Sequence, residues 1–207
     1  MTDPHKPTTV VLASANKGKL DELQQLMGDS VRVISAPELG VTMPEETGTT
    51  FAENAALKAD AAFEQTGHIA LADDSGLEVD ALDGRPGVYS ARFAGENARD
   101  AHNNEKLLAE LANVPEGLRS ARFRSAIAIR LDTDTLLIFE GTCEGFVGFE
   151  PRGTGGFGYD PLFRLPDGRT MAELGPDEKN AVSHRGEAMR KAVPVLLEYL
   201  DGREGTP

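Results

Sequence analysis

Two groups of residues in this chain have types and spacings suited to chemistry. The first is the run Gly153-Thr154-Gly155-Gly156-Phe157-Gly158-Tyr159-Asp160-Pro161, followed downstream by Lys179 and Ser183-His184-Arg185. A glycine-dense loop lets backbone approach a ligand closely, and this one also carries aromatic faces and a carboxylate. The second is the acidic cluster Asp73-Asp74-Ser75-Gly76, with Glu45-Glu46 upstream. Mg²⁺ is typically held by one or two carboxylates, its other positions being filled by water and phosphate oxygens. A further carboxylate can then orient or deprotonate an attacking water. Together the groups suggest a metal-assisted site for a phosphorylated, aromatic ligand, the class to which nucleotides belong.

Smaller signals sit around these two. Ser14-Ala15-Asn16-Lys17-Gly18-Lys19 lies between a strand and a helix N-terminus. Free amides and the helix dipole favour anions at such a junction, although on position alone a Ser/Asn cap with two solvated lysines is the better-supported reading. The second glycine and the Gly-Lys-Ser/Thr ending of a Walker A loop are missing. Asn54 and Lys58 lie four apart on a helix, away from its alanine stripe, so they share a face. Gly153-x-Gly155-x-x-Gly158 matches a dinucleotide-binding pattern, but that fingerprint needs a helix directly after the glycines. Tyr159-Asp160-Pro161 cannot open one. The loop is better suited to presenting Phe157 or Tyr159 for stacking on a base, with Asp160 as an acceptor. Lys179, His184 and Arg185 are donors that suit the O6 keto oxygen of hypoxanthine or xanthine, whereas adenine offers an amino donor there.

The elements that must position these residues alternate between strand and helix, which argues for an α/β architecture. A buried strand over Thr8–Ala13 leads through the Ser14–Gly18 turn into a helix with Leu20, Leu23, Leu26 and Met27 on one stripe. A short strand follows around Val31 to Ile34. Thr50-x-x-Glu53 is a capping box opening a second helix, closed by Gly67. Ile69–Ala72 is expected as a short strand delivering Asp73-Asp74 at its C-terminal end. A third helix is expected near Asp100 to Leu111. Arg122–Leu131 alternates as a half-exposed strand, hairpinned through Asp132-Thr133-Asp134 to Leu136–Phe139. A last helix starts near Ser183, where Pro194 should kink or end it, and residues from Asp201 onward read as a polar tail.

Composition narrows the function classes. At 207 residues, with 40% hydrophobic and 27% charged, the chain is expected to form one globular domain or two closely integrated lobes. The net charge of −13 argues against a nucleic-acid binder. The single cysteine, Cys143, cannot form an intrachain disulfide and fits a reducing compartment. Residues 1–7 are polar and unlike a signal peptide, and no apolar run is long enough to span a membrane. The expectation is a cytoplasmic protein.

Five motifs in order, Ser14-x-Asn16-x-x-Lys19, Glu45-Glu46-Thr47-Gly48, Ala72 to Leu77, Gly153 to Asp160 and Glu178 to Arg185, are weak singly and specific together. From about Val10 to the final helix the chain resembles the inosine-triphosphatase-like family of purine nucleoside triphosphate pyrophosphatases. The resemblance implies Mg²⁺-dependent hydrolysis of ITP, dITP and XTP to monophosphate and pyrophosphate, which keeps deaminated purines out of nucleic acids. It implies a single domain over 1–207 with short tails, at about 1–7 and 201–207. Its fold would be an elongated mixed central sheet flanked by helices, with two lobes, a cleft between them, and homodimeric assembly. By position, Asp74 would be the general base, with Glu45, Asp73 and Asp74 near the metal. Ser14, Ala15, Asn16, Lys17, Gly18, Lys19, Lys58 and Ser75 would contact phosphates. Phe157, Gly158, Tyr159, Asp160, Lys179, His184 and Arg185 would hold base and sugar. Ala15 and Ser14 stand where relatives often have Gly and Thr, and neither change alters the chemistry. The nearest rivals are a Maf-like pyrophosphatase acting on pyrimidine or modified nucleotides, and a non-catalytic nucleotide sensor.

Overall fold

A computed structural model describes residues 8–28 and 31–204. Its first strand, β1 (Thr8–Leu12), is a run of β-branched and aliphatic residues with Val10 and Val11 wholly buried. Helix α1 (Lys17–Met27) begins at Asn16, whose side chain accepts from the Lys19 amide, satisfying one of the free N–H groups of the first turn. Strand β2 (Val31–Ser35) runs parallel to β1. Helix α2 (Phe51–Thr66) starts with the expected reciprocal bonds between Thr50 and Glu53, and Gly67 closes it in the left-handed conformation. The small stripe of α2 is fully buried at Ala55, Ala59 and Ala62. The rest of the chain supplies β3 (Ile69–Val79), α3 (Asp100–Glu110), β4 (Ser120–Arg130), β5 (Leu136–Val147), β6 (Phe163–Arg164), α4 (Pro176–Val182) and α5 (His184–Glu204).

The strands form one sheet in the order β2-β1-β3-β4-β5-β6. β1 pairs in parallel with both β2 and β3, and β5 pairs antiparallel with β6, so the sheet is mixed and the class is α/β. The chain divides into two compact units. The first comprises residues up to Asp74, Ala126–Glu140 and Ala188 onward; its core includes Leu12, Leu23, Leu71, Ile127, Ile129, Met189 and Leu196. The second comprises Ser75–Ser125 and Gly141–Glu187, with a core including Leu77, Leu107, Phe123, Leu162, Phe163 and Met171. Among the described residues no helix is long and apolar enough to cross a membrane.

Several boundaries differ from the sequence expectation, each for a physical reason. β3 does not stop at Ala72: it continues through Asp73-Asp74-Ser75-Gly76 to Val79. Aspartate and glycine have weak strand propensity, and pairing overrides it. β4 is half-exposed only at its start, because residues Ser125 to Ile129 are buried on both faces. The helix expected from near Ser183, α5, is preceded by a separate short helix, α4, whose Pro176 sits in the first turn, where a missing N–H costs nothing. α5 continues past Pro194, and past Asp201, to Glu204. Proline deletes one helical bond, but Leu196 and Leu200 beyond it are buried in the core of the first unit, and their packing carries the helix on. The expected tail over 1–7 and the last residues, 205–207, lie outside the described residues.

Gly145 shows how close the β5–β6 contact is. A methyl group there would meet the Phe163 ring at 2.6 Å and the Arg164 carbonyl. Gly145→Ala is therefore expected to destabilise the fold by about 1–3 kcal/mol, read as a lowered urea midpoint at unchanged m-value. A midpoint equal to that of the unsubstituted chain would show that this contact yields freely.

Candidate active site

The first constellation grows from the register of β3. β1 pairs with β3 only from Ile69 to Leu71, and the Ala13 amide still donates to the Leu71 carbonyl. Past that point the flank of β3 is released from β1, and the Asp73 carbonyl accepts from the Lys19 and Lys58 ammonium groups instead, at 3.2 and 3.1 Å. Successive strand residues point to opposite faces, so the two aspartates meet different lysines. Lys19 Nζ lies 2.8 Å from Asp73 Oδ2, and Lys58 Nζ lies 2.8 Å from Asp74 Oδ1. Lys58 also donates to Glu46 Oε1 at 2.9 Å.

Burial is the largest influence on each member of the Lys58–Asp74 pair. It disfavours the Lys58 ammonium, yet Asp74 and Glu46 outweigh it and hold the lysine above its ordinary pKa, firmly charged. For Asp74 the balance goes the other way. Burial pushes its carboxyl above the usual range in spite of Lys58. Its second oxygen, Oδ2, is buried with no hydrogen-bond partner.

The loop that brings Glu46 to Lys58 is tied to the first turn of α2. Asn54 Oδ1 accepts from the Gly48 amide at 2.7 Å, and Glu53 Oε2 accepts from the Thr49 amide and hydroxyl. Gly48 has to be glycine here, since a Cβ would meet Asn54 Oδ1 at 2.6 Å. Asn54 is fully buried one turn before Lys58, on the shared face the sequence indicates. Glu46, by contrast, stands out as a partner only in three dimensions; the Glu-Glu pair in sequence does not say which carboxylate turns inward and which, Glu45, stays exposed.

The second constellation lies in the other unit. Phe157 is half-buried, with the Lys179 ammonium 4.6 Å and the Arg185 guanidinium 5.3 Å from its ring centre. These are cation–π distances. Lys179 Nζ is 2.9 Å from Asp160 Oδ2, and the same carboxylate oxygen accepts from the Phe157 amide at 3.0 Å. Burial raises the Asp160 carboxyl, and Lys179 opposes the rise. Gly156 must lack a side chain, because a Cβ would collide with Asp160. Tyr159 is in the core rather than on show: it is 4% exposed, and its hydroxyl donates to the Ser90 carbonyl at 2.8 Å. Of the two aromatics expected to face a base, Phe157 is the accessible one. His184 is buried and stacks on Phe123 with ring centres 4.7 Å apart. Arg185 donates to Ser75 Oγ at 3.1 Å. No helix follows Gly158, in keeping with the rejection of a dinucleotide fingerprint.

At the Ser14–Lys19 junction the capping arrangement is the one present. Asn16 caps α1 and its amide donates to Ser14 Oγ, while Lys17 is exposed and Lys19 is drawn to Asp73. Among the described residues, no three His, Cys, Asp or Glu side chains are grouped to hold a metal unaided. The donor set still fits a hard divalent ion that takes most of its ligands from water and phosphate. The buried, unpartnered Asp74 Oδ2 and the exposed Glu45 carboxylate are oxygen donors of the required kind.

The sequence model of the Ham1 family matches residues 10–195. The chain is 54% identical over 190 residues to a dITP/XTP pyrophosphatase of Desulforamulus reducens, covering 90% of this chain and 94% of that protein. It is 51% identical to a dITP/XTP pyrophosphatase of Photorhabdus laumondii, with coverages of 90% and 97%. Among solved structures, a HAM1 protein from Coxiella burnetii superposes with a TM-score of 0.85 at 48% identity, over 92% of this chain and 99% of that one.

The geometry around Lys58 makes a stability prediction. Lys58→Met leaves the Asp74 and Glu46 carboxylates without their shared cation, and should cost about 3 kcal/mol in denaturant unfolding. Adding Asp74→Asn removes the stranded buried charge and should recover about half of the loss. Strictly additive losses from the two substitutions would mean that the pair is not energetically coupled.

Proposed function

The chain belongs to the Ham1 family, and on that footing we propose that it hydrolyses deaminated purine nucleoside triphosphates, ITP, dITP and XTP, to the monophosphate and pyrophosphate. The observation that carries the proposal is the Asp74 carboxylate: one oxygen is fixed by Lys58 and the other is buried and uncommitted, and burial raises its pKa above the ordinary carboxylate value.

In this reading Asp74 takes the proton from the water that attacks the α-phosphorus. Lys19 and Lys58 supply positive charge to the phosphate chain, aided by amides and side chains of Ser14, Ala15, Asn16, Lys17 and Gly18 at the start of α1, and by Ser75. Glu45, with Asp73 and Asp74 close by, would hold Mg²⁺, and the ion would supply positive charge for the phosphate oxygens. Phe157 stacks on the base, and Gly158, Tyr159 and Asp160 shape the loop that carries it. Lys179, His184 and Arg185 lie at the O6 edge, where a keto oxygen accepts and an amino group does not. We further place the enzyme in the cytoplasm as a homodimer acting without nucleic acid or membrane. Having a single cysteine, Cys143, and so no intrachain disulfide, suits a reducing compartment.

Pyrophosphate release from ITP, XTP, GTP, ATP and dTTP, with Mg²⁺ and with EDTA, tests the reading. Fast, metal-dependent cleavage of ITP and XTP with GTP and ATP poor is the expected pattern. Preference for dTTP would favour a Maf-like specificity, and tight ITP binding without cleavage would make the protein a sensor.

A further inference from the structure

The Phe157 loop is held from one side by Asp160, and from another by a helix that no recognition role yet explains. Asp100 is the first residue of α3 and Asn104 lies one turn later on the same face. Between them they take both polar backbone groups of Gly158. Its amide donates to Asp100 Oδ2 at 2.6 Å, and its carbonyl accepts from Asn104 Nδ2 at 2.9 Å. Gly158 has a φ of +61°, and an added Cβ there would touch nothing within 4 Å. The site thus demands a left-handed backbone, not empty space.

The inner face of α3 is anchored separately. Leu107 is fully buried, the Asn103 side chain bonds the Ala91 carbonyl and the Ala94 amide, and Lys106 donates to the Phe93 carbonyl. Asp100 is exposed and Asn104 half-buried. Neither is needed to root the helix, and the bonds they make with the loop all go to Gly158, the residue directly after Phe157. Asp100 is also well placed electrostatically, as a carboxylate in the first turn of a helix.

We propose that Asp100 and Asn104 are positioning residues for purine recognition, clamping Gly158 so that the Phe157 ring is fixed where a base stacks on it. The proposal rests on the reading of Phe157 as the base platform. A clamp of this kind acts before chemistry. It removes freedom from the platform that binding would otherwise have to remove, so its loss raises KM and leaves kcat alone.

The test is a double-mutant cycle on steady-state ITP hydrolysis, using Asp100→Ala, Asn104→Ala and Phe157→Ala singly and in combination, with Tm recorded for each. Each clamp substitution is expected to raise KM about tenfold, as for loss of a charge-assisted or buried hydrogen bond, with kcat within about twofold. In the Phe157→Ala background the same substitutions should add little. Asp100→Asn, which keeps an oxygen in reach of the Gly158 amide, should restore most of the affinity and guards against a folding defect in the alanine variant. If Phe157→Ala raises KM while the clamp variants do not, or if their effects multiply in full, the clamp is refuted and the platform stands. If Phe157→Ala leaves KM unchanged, the platform reading falls and takes the clamp with it.

Discussion

The structure around the acidic strand depends on one buried ammonium. Lys58 Nζ holds Asp74, Glu46 and the Asp73 carbonyl at once, each within 3.1 Å. Two carboxylates and a strand carbonyl could not converge there without it, because desolvating unpaired carboxylates is too costly. The pair is not chiefly a source of stability, since buried ion pairs roughly break even against apolar packing. What it supplies is position. It fixes one oxygen of Asp74 and leaves the other uncommitted.

A second regularity is that helix N-termini discipline the functional loops. Glu53 and Asn54, in the first turn of α2, bond the backbone of Gly48 and Thr49 and so place Glu46. Asp100 and Asn104 do the same for Gly158 from α3. In both cases a side chain at the start of a rigid helix takes the backbone groups of a glycine-containing loop, which would otherwise be satisfied by water and left free to move. The two glycines differ in kind. Gly48 is required because there is no room for a side chain, Gly158 because of its backbone conformation.

Much of this is legible in the sequence alone. The capping box at Thr50 and Glu53, the alanine stripe of α2, the pairing of Asn54 with Lys58 on one face and the special nature of the Phe157 loop follow from local spacing. The rest depends on contacts between residues distant in sequence. Asp73-Asp74 reads as a strand end because its residues are poor strand formers, and only the continuation of β3 to Val79 shows otherwise. Tyr159 and Phe157 are equivalent aromatics in sequence. The Ser90 carbonyl draws the first into the core and leaves the second accessible. α4 was invisible as a separate helix because Lys179 and His184 fall within one polar stretch, and α5 survives Pro194 through tertiary packing that propensity does not see.

The central claim is that Asp74, positioned by Lys58, is the base that activates water. Its most direct test is single-turnover ITP hydrolysis by Asp74→Asn with saturating Mg²⁺, measured alongside ITP binding. The substitution keeps size and removes the proton acceptor, so the chemical step should slow by roughly 10²–10⁴-fold while the Kd for ITP changes by no more than a few fold. A rate within a few fold of the unsubstituted enzyme would contradict the account and assign the proton to another group.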